Sequence, residues 1–197
     1  MLYLLVAVIG YALGNFTASY FVGKGMKNID IRDHGSGNAG ATNTYRVLGL
    51  RAGAIVFISD VLKGILAALI GLWIIGSPVG ILVAGGFAVV GHNWPVVLDF
   101  KGGKGVASSF GVILVLSIEL AVILLAFGLL LVLLTRYVSL ASISCATLFP
   151  ILLIVFSYPV EIIILGSLLA LMAILRHRAN ISRLIIGNEN KISFRRK

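Results

Sequence analysis

Apolar residues fall in long runs separated by short polar, glycine-rich or basic gaps. A helix that crosses a bilayer needs about 20 predominantly apolar residues, roughly 17–25. Residues 2–23 meet this requirement, and so do residues 52–75 despite Asp60 and Lys63 within them. Residues 138–156 and 160–175 predict a helical hairpin around Ser157, Tyr158 and Pro159. The middle is less regular: runs 79–91 and 106–116 are short for a span, and 118–134 is adequate.

Charge placement decides how the middle is divided. Merging 106–134 into one helix would put Arg136 on the opposite side from Lys101 and Lys104, and would move Arg176, Arg178 and Arg183 outside. A break at Ser117 gives seven spans, with the N-terminus outside and the C-terminus cytoplasmic. Lys24, Lys27, Arg32, Arg46, Arg51, Lys101, Lys104, Arg136 and the basic C-terminal segment then all lie inside. The outside turns near Ser77–Pro78, Ser117 and Tyr158–Pro159 hold no Lys or Arg, as the positive-inside rule requires. The expected fold is therefore an all-α, polytopic membrane helical bundle. Two short helices flank a glycine-rich loop that dips into the bilayer, where irregular backbone survives only against protein or a wet cavity. One domain covering residues 1–197 is expected, without internal repeats.

Composition agrees with this reading. Hydrophobic residues make up 59% of the chain and charged residues 12%, against about half and a quarter in soluble domains. Mean hydropathy is +1.09. The net charge of +9 sits mainly in gaps between apolar runs, so topology accounts for it and no nucleic-acid partner is expected. Residues 2–22 lack a basic leader and a small-residue cleavage site, which predicts a retained helix. The one cysteine, Cys145, lies in an apolar run and reads as a small buried hydrophobe. The tail through Phe194, Arg195, Arg196 and Lys197 is expected at an anionic lipid surface.

Three polar constellations fall on the predicted cytoplasmic side. The first contains Gly35, Ser36, Gly37, Asn38, Thr42, Asn43 and Arg46. Glycines permit close ligand approach, successive amides in such turns can cradle an anion, and an arginine supplies a fork suited to phosphate. A flexible Gly/Ser loop is the plain alternative. The second contains His92, Lys101, Gly102, Gly103, Lys104 and Gly105. It is not a Walker A loop: no Ser or Thr follows Lys104 and no strand precedes it. A helix starting at Val106 would add an anion-favouring N-terminus. Positive-inside anchoring explains the lysines but not the glycines, and His92 is open between a structural hydrogen bond and a place in the site. The third contains Arg176, His177, Asn180 and Arg183, followed by Gly187 and Glu189. If the last helix continues past the lipid face, His177 and Asn180 share one side, and Arg176, Asn180 and Arg183 form a stripe. The plain alternative is a basic helix end.

Two smaller features are open. Arg136, Ser139 and Ser142 could extend a polar pocket, or be an anchor with packing serines. Asp60 and Lys63 form an intramembrane pair, for which a structural role is favoured over a functional one. The three histidines, His34, His92 and His177, lack metal-ligand spacing, so no metal is expected. A Gly-x-Ser-x-Gly elbow is absent.

Taken together, the run from Ser36 to Asn43 with Arg46, the runs from Gly91 to Pro95 and Phe100 to Ala107, and Arg176, His177, Asn180, Ile181, Arg183, Leu184, Gly187 and Glu189 resemble the signatures of the bacterial acyl-phosphate-dependent glycerol-3-phosphate acyltransferases. Tyr137 to Leu140 are similar as well. The resemblance covers nearly the whole chain, with minor departures at Asp99 and Ser108. It implies transfer of a fatty acyl group from acyl phosphate to the sn-1 hydroxyl of glycerol 3-phosphate, giving lysophosphatidic acid and phosphate. This is the first acylation in bacterial phospholipid synthesis, at the inner membrane with the active site facing the cytoplasm. Acyl phosphate is already activated, so no cofactor is expected. A peripheral acyl-phosphate-forming enzyme is an implied partner.

On that reading Ser36, Lys104, His177 and Asn180 are the catalytic candidates. Gly35, Gly37, Asn38, Thr42, Asn43, Arg46, His92, Gly102, Gly103, Gly105, Arg136 and Ser142 are the substrate-binding candidates. Lys104 and the amides of 102–105 would hold one phosphate, and Ser36, Arg46 and Asn180 the other. The general base is either His177 or a substrate phosphate. The competing readings are an organic-phosphate transporter or channel and a noncatalytic lipid-binding scaffold. Transporter sites usually lie near the midplane between repeats, unlike the one-sided motifs here.

Overall fold

The computed structural model describes residues 1–192 and is helical, with no strand among them. The expected lipid-facing tail at Phe194 to Lys197 lies outside the described residues. Ten α-helices follow in order: α1 (Leu2–Asn15), α2 (Ala18–Lys27), α3 (Ala41–Leu48), α4 (Leu50–Ile75), α5 (Pro78–Asn93), α6 (Val106–Leu116), α7 (Ile118–Thr135), α8 (Val138–Val155), α9 (Val160–Arg176) and α10 (Arg178–Ile185). Five helical segments are long and apolar enough to cross a membrane, and a sixth if the bent α9–α10 pair counts as one. The helix break expected at Ser117 is present, with Ser117 extended (φ −162°) between α6 and α7. Helix α6 has 11 residues; at 1.5 Å per residue it is about 16 Å long, half of a ~30 Å hydrocarbon layer.

Two expectations change. The first run is one candidate span, Leu2–Lys27, but Phe16 and Thr17 interrupt its helix. Asn15 turns its amide back to the Tyr11 carbonyl at 2.7 Å, and the Lys63 ammonium takes the carbonyls of Phe16 (2.8 Å) and Gly14 (3.4 Å). Backbone groups freed by a break need such partners in an apolar medium. The last helix does not continue straight: α9 and α10 meet at 58°, with His177 ending one and starting the other. The stripe Arg176–Asn180–Arg183 therefore lies on two axes.

The chain forms two compact units, Met1–Ser117 and Ile118–Lys197. In the first, small residues bring backbones together. A side chain at Gly10 or Gly14 on α1 would strike the carbonyl oxygens of Ala84 and Ala88 on α5. Gly64 on α4 stands equally close to the Ser108 carbonyl of α6, and Gly111 on α6 to Val61 of α4. Such contacts are how helices pack where lipid removes the usual hydrophobic drive. In the second unit, α7 and α8 meet at Gly128 and Cys145, and α8 and α9 at Phe149, Leu153 and Gly166. Leu129, Leu130, Leu133 and Leu134 of α7 are exposed, which suits a hydrocarbon surrounding and would be a liability in water.

Candidate functional site

In the first unit, the two glycine-rich constellations meet. The first loop is shaped from within by Asn43, which is buried on the first turns of α3. Its Oδ1 accepts the Ser36 amide (2.7 Å), and its Nδ2 donates to the carbonyls of Ile31 and His34 (both 3.0 Å). Gly35 has φ +62°, and a Cβ there would collide with Asn43 Oδ1. Asn43 is thus engaged with the loop backbone, while Ser36 and Gly37 are exposed, and Asn38, Thr42 and Arg46 are half-buried around it.

The second loop starts at the end of α5. The Gly103 amide donates to the His92 carbonyl (3.0 Å) and the Gly102 amide to that of Asn93 (3.3 Å), folding the loop back on the helix that launches it. Helix α1 holds the loop's base: Asn15 Oδ1 accepts the Val96 amide (2.7 Å), and the Tyr11 hydroxyl donates to the Trp94 carbonyl (2.9 Å). Gly105, with φ +76°, delivers the chain into α6. Beside it lies Asn93, fully buried, with no hydrogen bond to either side-chain amide atom. Lys104 is half-buried between the buried Gly103 and Gly105.

Gly103 marks where the loops touch. A Cβ there would run into the His92 ring and stand 2.8 Å from the Ala39 carbonyl oxygen of the first loop. A second tie comes from Arg32, which is bidentate to Asp30 (Nε–Oδ1 3.0 Å, Nη2–Oδ2 2.6 Å) and donates from Nη1 to the Leu98 carbonyl (2.9 Å). The hydrogen bond from Arg32 holds the Asp30 carboxyl below its ordinary range, against the opposing effect of burial. The result is a set of glycine amides, a lysine, an exposed serine and the first turn of an α-helix in one neighbourhood, a suitable cradle for an oxyanion such as phosphate.

The second unit builds a different centre. Gly187, with φ +75°, turns the chain after α10, and the Asn188 amide caps the Arg183 carbonyl at 2.8 Å. Glu189 is thereby returned against the helix and buried. Its Oε1 accepts from Asn180 Nδ2 (2.8 Å) and Ser139 Oγ (3.0 Å), and its Oε2 from Arg183 Nε (2.8 Å). Desolvation pushes the carboxyl up, but the hydrogen bonds of Asn180, Arg183 and Ser139 outweigh it, and Glu189 stays below the ordinary range. His177 is buried at the bend, and its Nδ1 lies 2.7 Å from the Ala173 carbonyl oxygen. A carbonyl only accepts, so Nδ1 carries the proton, and in the neutral ring Nε2 holds the lone pair. Ser142 bonds back to the Val138 carbonyl (2.9 Å). Arg136 is exposed in the turn before α8, in a left-handed conformation (φ +63°).

Glu189, Ser139, Asp60 and Lys63 stand outside the catalytic and substrate-binding candidates that the sequence offers. The i, i+3 charge pair within an apolar run was the visible signal for Asp60 and Lys63. For Glu189 nothing local marks the partners that the turn at Gly187 provides. Among the described residues, no group of three or more metal-ligating side chains is present.

Residues 4–187 match the family model described as glycerol-3-phosphate acyltransferase. A glycerol-3-phosphate acyltransferase of Alkaliphilus metalliredigens is 48% identical, covering 98% of this chain and 97% of that protein. One from Clostridioides difficile is 46% identical, covering 96% and 95%. Among solved structures, the crystal structure of PlsY (YgiH), an integral membrane glycerol 3-phosphate acyltransferase, in its glycerol 3-phosphate form is similar with a TM-score of 0.90 and 38% identity, covering 97% of this chain and 96% of that one. The lysophosphatidic acid form of the same enzyme matches with a TM-score of 0.86 at 37% identity, covering 97% and 95%.

Proposed function

From a chain that belongs to the glycerol-3-phosphate acyltransferase family and is an integral membrane acyltransferase, we infer a specific reaction: the acyl group of an acyl phosphate passes to the sn-1 hydroxyl of glycerol 3-phosphate. The products are lysophosphatidic acid and inorganic phosphate. The observation that carries this reading is the meeting of the two glycine loops at Gly103, with Lys104 beside it and α6 starting just after it. Both substrates carry phosphate, and this cradle offers what a phosphate needs.

In the proposed reaction, the hydroxyl oxygen attacks the acyl carbon, the bond from that carbon to the phosphate oxygen breaks, and phosphate leaves with the electron pair. Lys104 and the amides of residues 102–105 stabilise charge growing on a phosphate; such preorganised donors act where charge develops. Ser36 and Arg46 bind phosphate oxygens from the first loop. Thr42 and Asn38 line that loop, and Asn43 fixes its shape. In the second unit, Asn180 acts on substrate with its amide oriented by Glu189. His177, whose Nδ1 is held against the Ala173 carbonyl, is the candidate protein base. The alternative base is a substrate phosphate. Arg136 and Ser142 are proposed as further polar contacts at the start of α8.

The proposed topology has seven spans, the N-terminus outside, and the active site open to the cytoplasm at the inner membrane. Helix α6 counts as a span because the loop before it starts below the membrane surface. A peripheral enzyme that makes acyl phosphate would deliver the donor.

The test is purified protein with palmitoyl phosphate and labelled glycerol 3-phosphate, without CoA, nucleotide or divalent metal. Labelled lysophosphatidic acid is expected from the native protein, with roughly 10²-fold or greater loss in Lys104→Ala and Ser36→Ala. No product from folded protein reconstituted in lipid would sink the acyl-phosphate reading. For the base, near-normal turnover and an unchanged pH profile in His177→Gln would exclude His177.

A further inference from the structure

Asp60 and Lys63 on α4 and His92 in the last turn of α5 form a buried polar cluster within the first unit. Their relative exposures are 2%, 6% and 3%, so water does not satisfy them. Lys63 Nζ lies 2.8 Å from Asp60 Oδ1 and 2.7 Å from His92 Nδ1, with the Phe16 carbonyl at 2.8 Å. Asp60 Oδ1 is 3.4 Å from the same His92 nitrogen.

An ammonium has three donors and no acceptor. With Lys63 charged and 2.7 Å away, His92 Nδ1 acts as the acceptor, and Asp60 Oδ1 at 3.4 Å is the competing partner that would draw a proton onto that nitrogen. The neutral ring then carries its proton on Nε2. That edge faces Gly103, where a Cβ would overlap Nε2 and stand 2.8 Å from Cε1. The same residue's carbonyl accepts the Gly103 amide at 3.0 Å. His92 thus meets the glycine loop with both its ring and its main chain, and Lys63 determines which ring nitrogen bears the proton.

We propose that Lys63 and Asp60 are positioning residues for the phosphate loop: Asp60 holds the Lys63 ammonium, Lys63 sets the Nε2–H form of His92, and His92 holds Gly103 and hence the amides around Lys104. His92 acts through the loop and not as a proton acceptor from substrate. The charges support this arrangement. Asp60 and Lys63 cancel one another, and a neutral imidazole adds no third charge to an apolar interior. The Phe16 carbonyl, exposed by the α1 break, takes the third donor at 2.8 Å, with the Gly14 carbonyl at the edge of reach (3.4 Å). The kinetic part of the inference rests on the acyltransferase reading, while the proton positions stand without it.

The first measurement is the ¹⁵N spectrum of imidazole-labelled native protein in detergent, with His92 assigned by its loss in His92→Gln. The expected result at neutral pH is a neutral ring with Nε2 protonated and Nδ1 accepting. A native ring protonated on Nδ1 overturns the proposal whatever the enzyme's activity. The second measurement compares Lys63→Met with Asp60→Asn/Lys63→Met. In the single variant, Asp60 faces Nδ1 directly and draws a proton there, so the Nδ1 resonance changes from acceptor to protonated. In the double variant that pull is absent. Kinetically, Lys63→Met and His92→Leu are expected to raise KM for glycerol 3-phosphate or acyl phosphate and lower kcat/KM by roughly 10²-fold, the scale of a misplaced reacting group. His92→Gln, which can keep an N–H where Nε2–H stands, recovers a larger share of kcat/KM than His92→Leu. A folded Lys63→Met with native KM and kcat/KM, or His92→Gln no better than His92→Leu, overturns the role. Native protein without acyl-phosphate activity would instead sink the reaction assignment and leave the tautomer result intact.

Discussion

In the first unit, main-chain groups make most of the bonds that shape the polar centre: Gly102 and Gly103 fold back on α5, Ser36 and two carbonyls close on Asn43, and Ala39 stands against Gly103. In the second, one carboxylate collects three side chains, from Ser139, Asn180 and Arg183. A cradle for an anion needs N–H groups and space, so glycine serves it and any added atom intrudes. A side-chain amide held at one angle needs a fixed acceptor, which Glu189 supplies. The two histidines follow the same division. His92 Nδ1 faces the Lys63 ammonium, and His177 Nδ1 faces the Ala173 carbonyl, so the two rings meet opposite kinds of partner.

This contrast can be broken at its strongest point by a single methyl group. Gly103→Ala places a carbon against the His92 ring and near the Ala39 carbonyl. It is expected to lower kcat/KM by roughly 10²-fold or more, measured by product formation with helix content checked by circular dichroism. Native activity would show that the loops tolerate filling and that the close approach is incidental. Next in size is Asn43→Ala, which strands an amide and two carbonyls. A loss of about 2–3 kcal/mol in stability is expected, read as a lowered thermal midpoint together with reduced activity.

Glu189→Gln tests the second unit. It removes the charge that Arg183 and Asn180 face, and a stability loss of about 2 kcal/mol is expected at neutral pH. The folded-state carboxyl lies below its ordinary value of 4.5. The stabilisation is therefore complete above that pH and lost as pH falls through the depressed folded value. The gap between native and variant melting temperatures should close below pH 4.5; a gap that persists there would mean that hydrogen-bond geometry, and not charge, holds Asn180. The smallest effect belongs to Arg32→Ala, whose ion pair is only partly buried. Under about 1 kcal/mol is expected, and a larger loss would show that the bond to Leu98 matters more to the second loop than its own backbone bonds do.

Legibility in the sequence differed between these features. The helices were largely visible, because a run of apolar residues in lipid has few alternatives that satisfy its backbone. The break at Ser117 followed from where the arginines and lysines had to lie. The split of the first run at Phe16 and Thr17 was not visible: it depends on a lysine 47 residues further on that takes the Phe16 carbonyl. The bend at His177 was likewise missed, since 3.6-residue periodicity can be read through a short basic segment whether or not its axis turns. Asn43 is a substrate-contact candidate by its place in a glycine loop, and its bonds to the loop backbone are not legible in the sequence.

The sequence by itself determined the helical class and the family, because those depend on local composition and on motifs contiguous in the chain. Only the tertiary structure decided that Gly103 joins the two loops, that Asp60 and Lys63 reach His92, and that Glu189 gathers Asn180. Hydrogen bonds and close packing act over about three ångströms in space, and nothing in the order of residues says which distant groups will come within that reach.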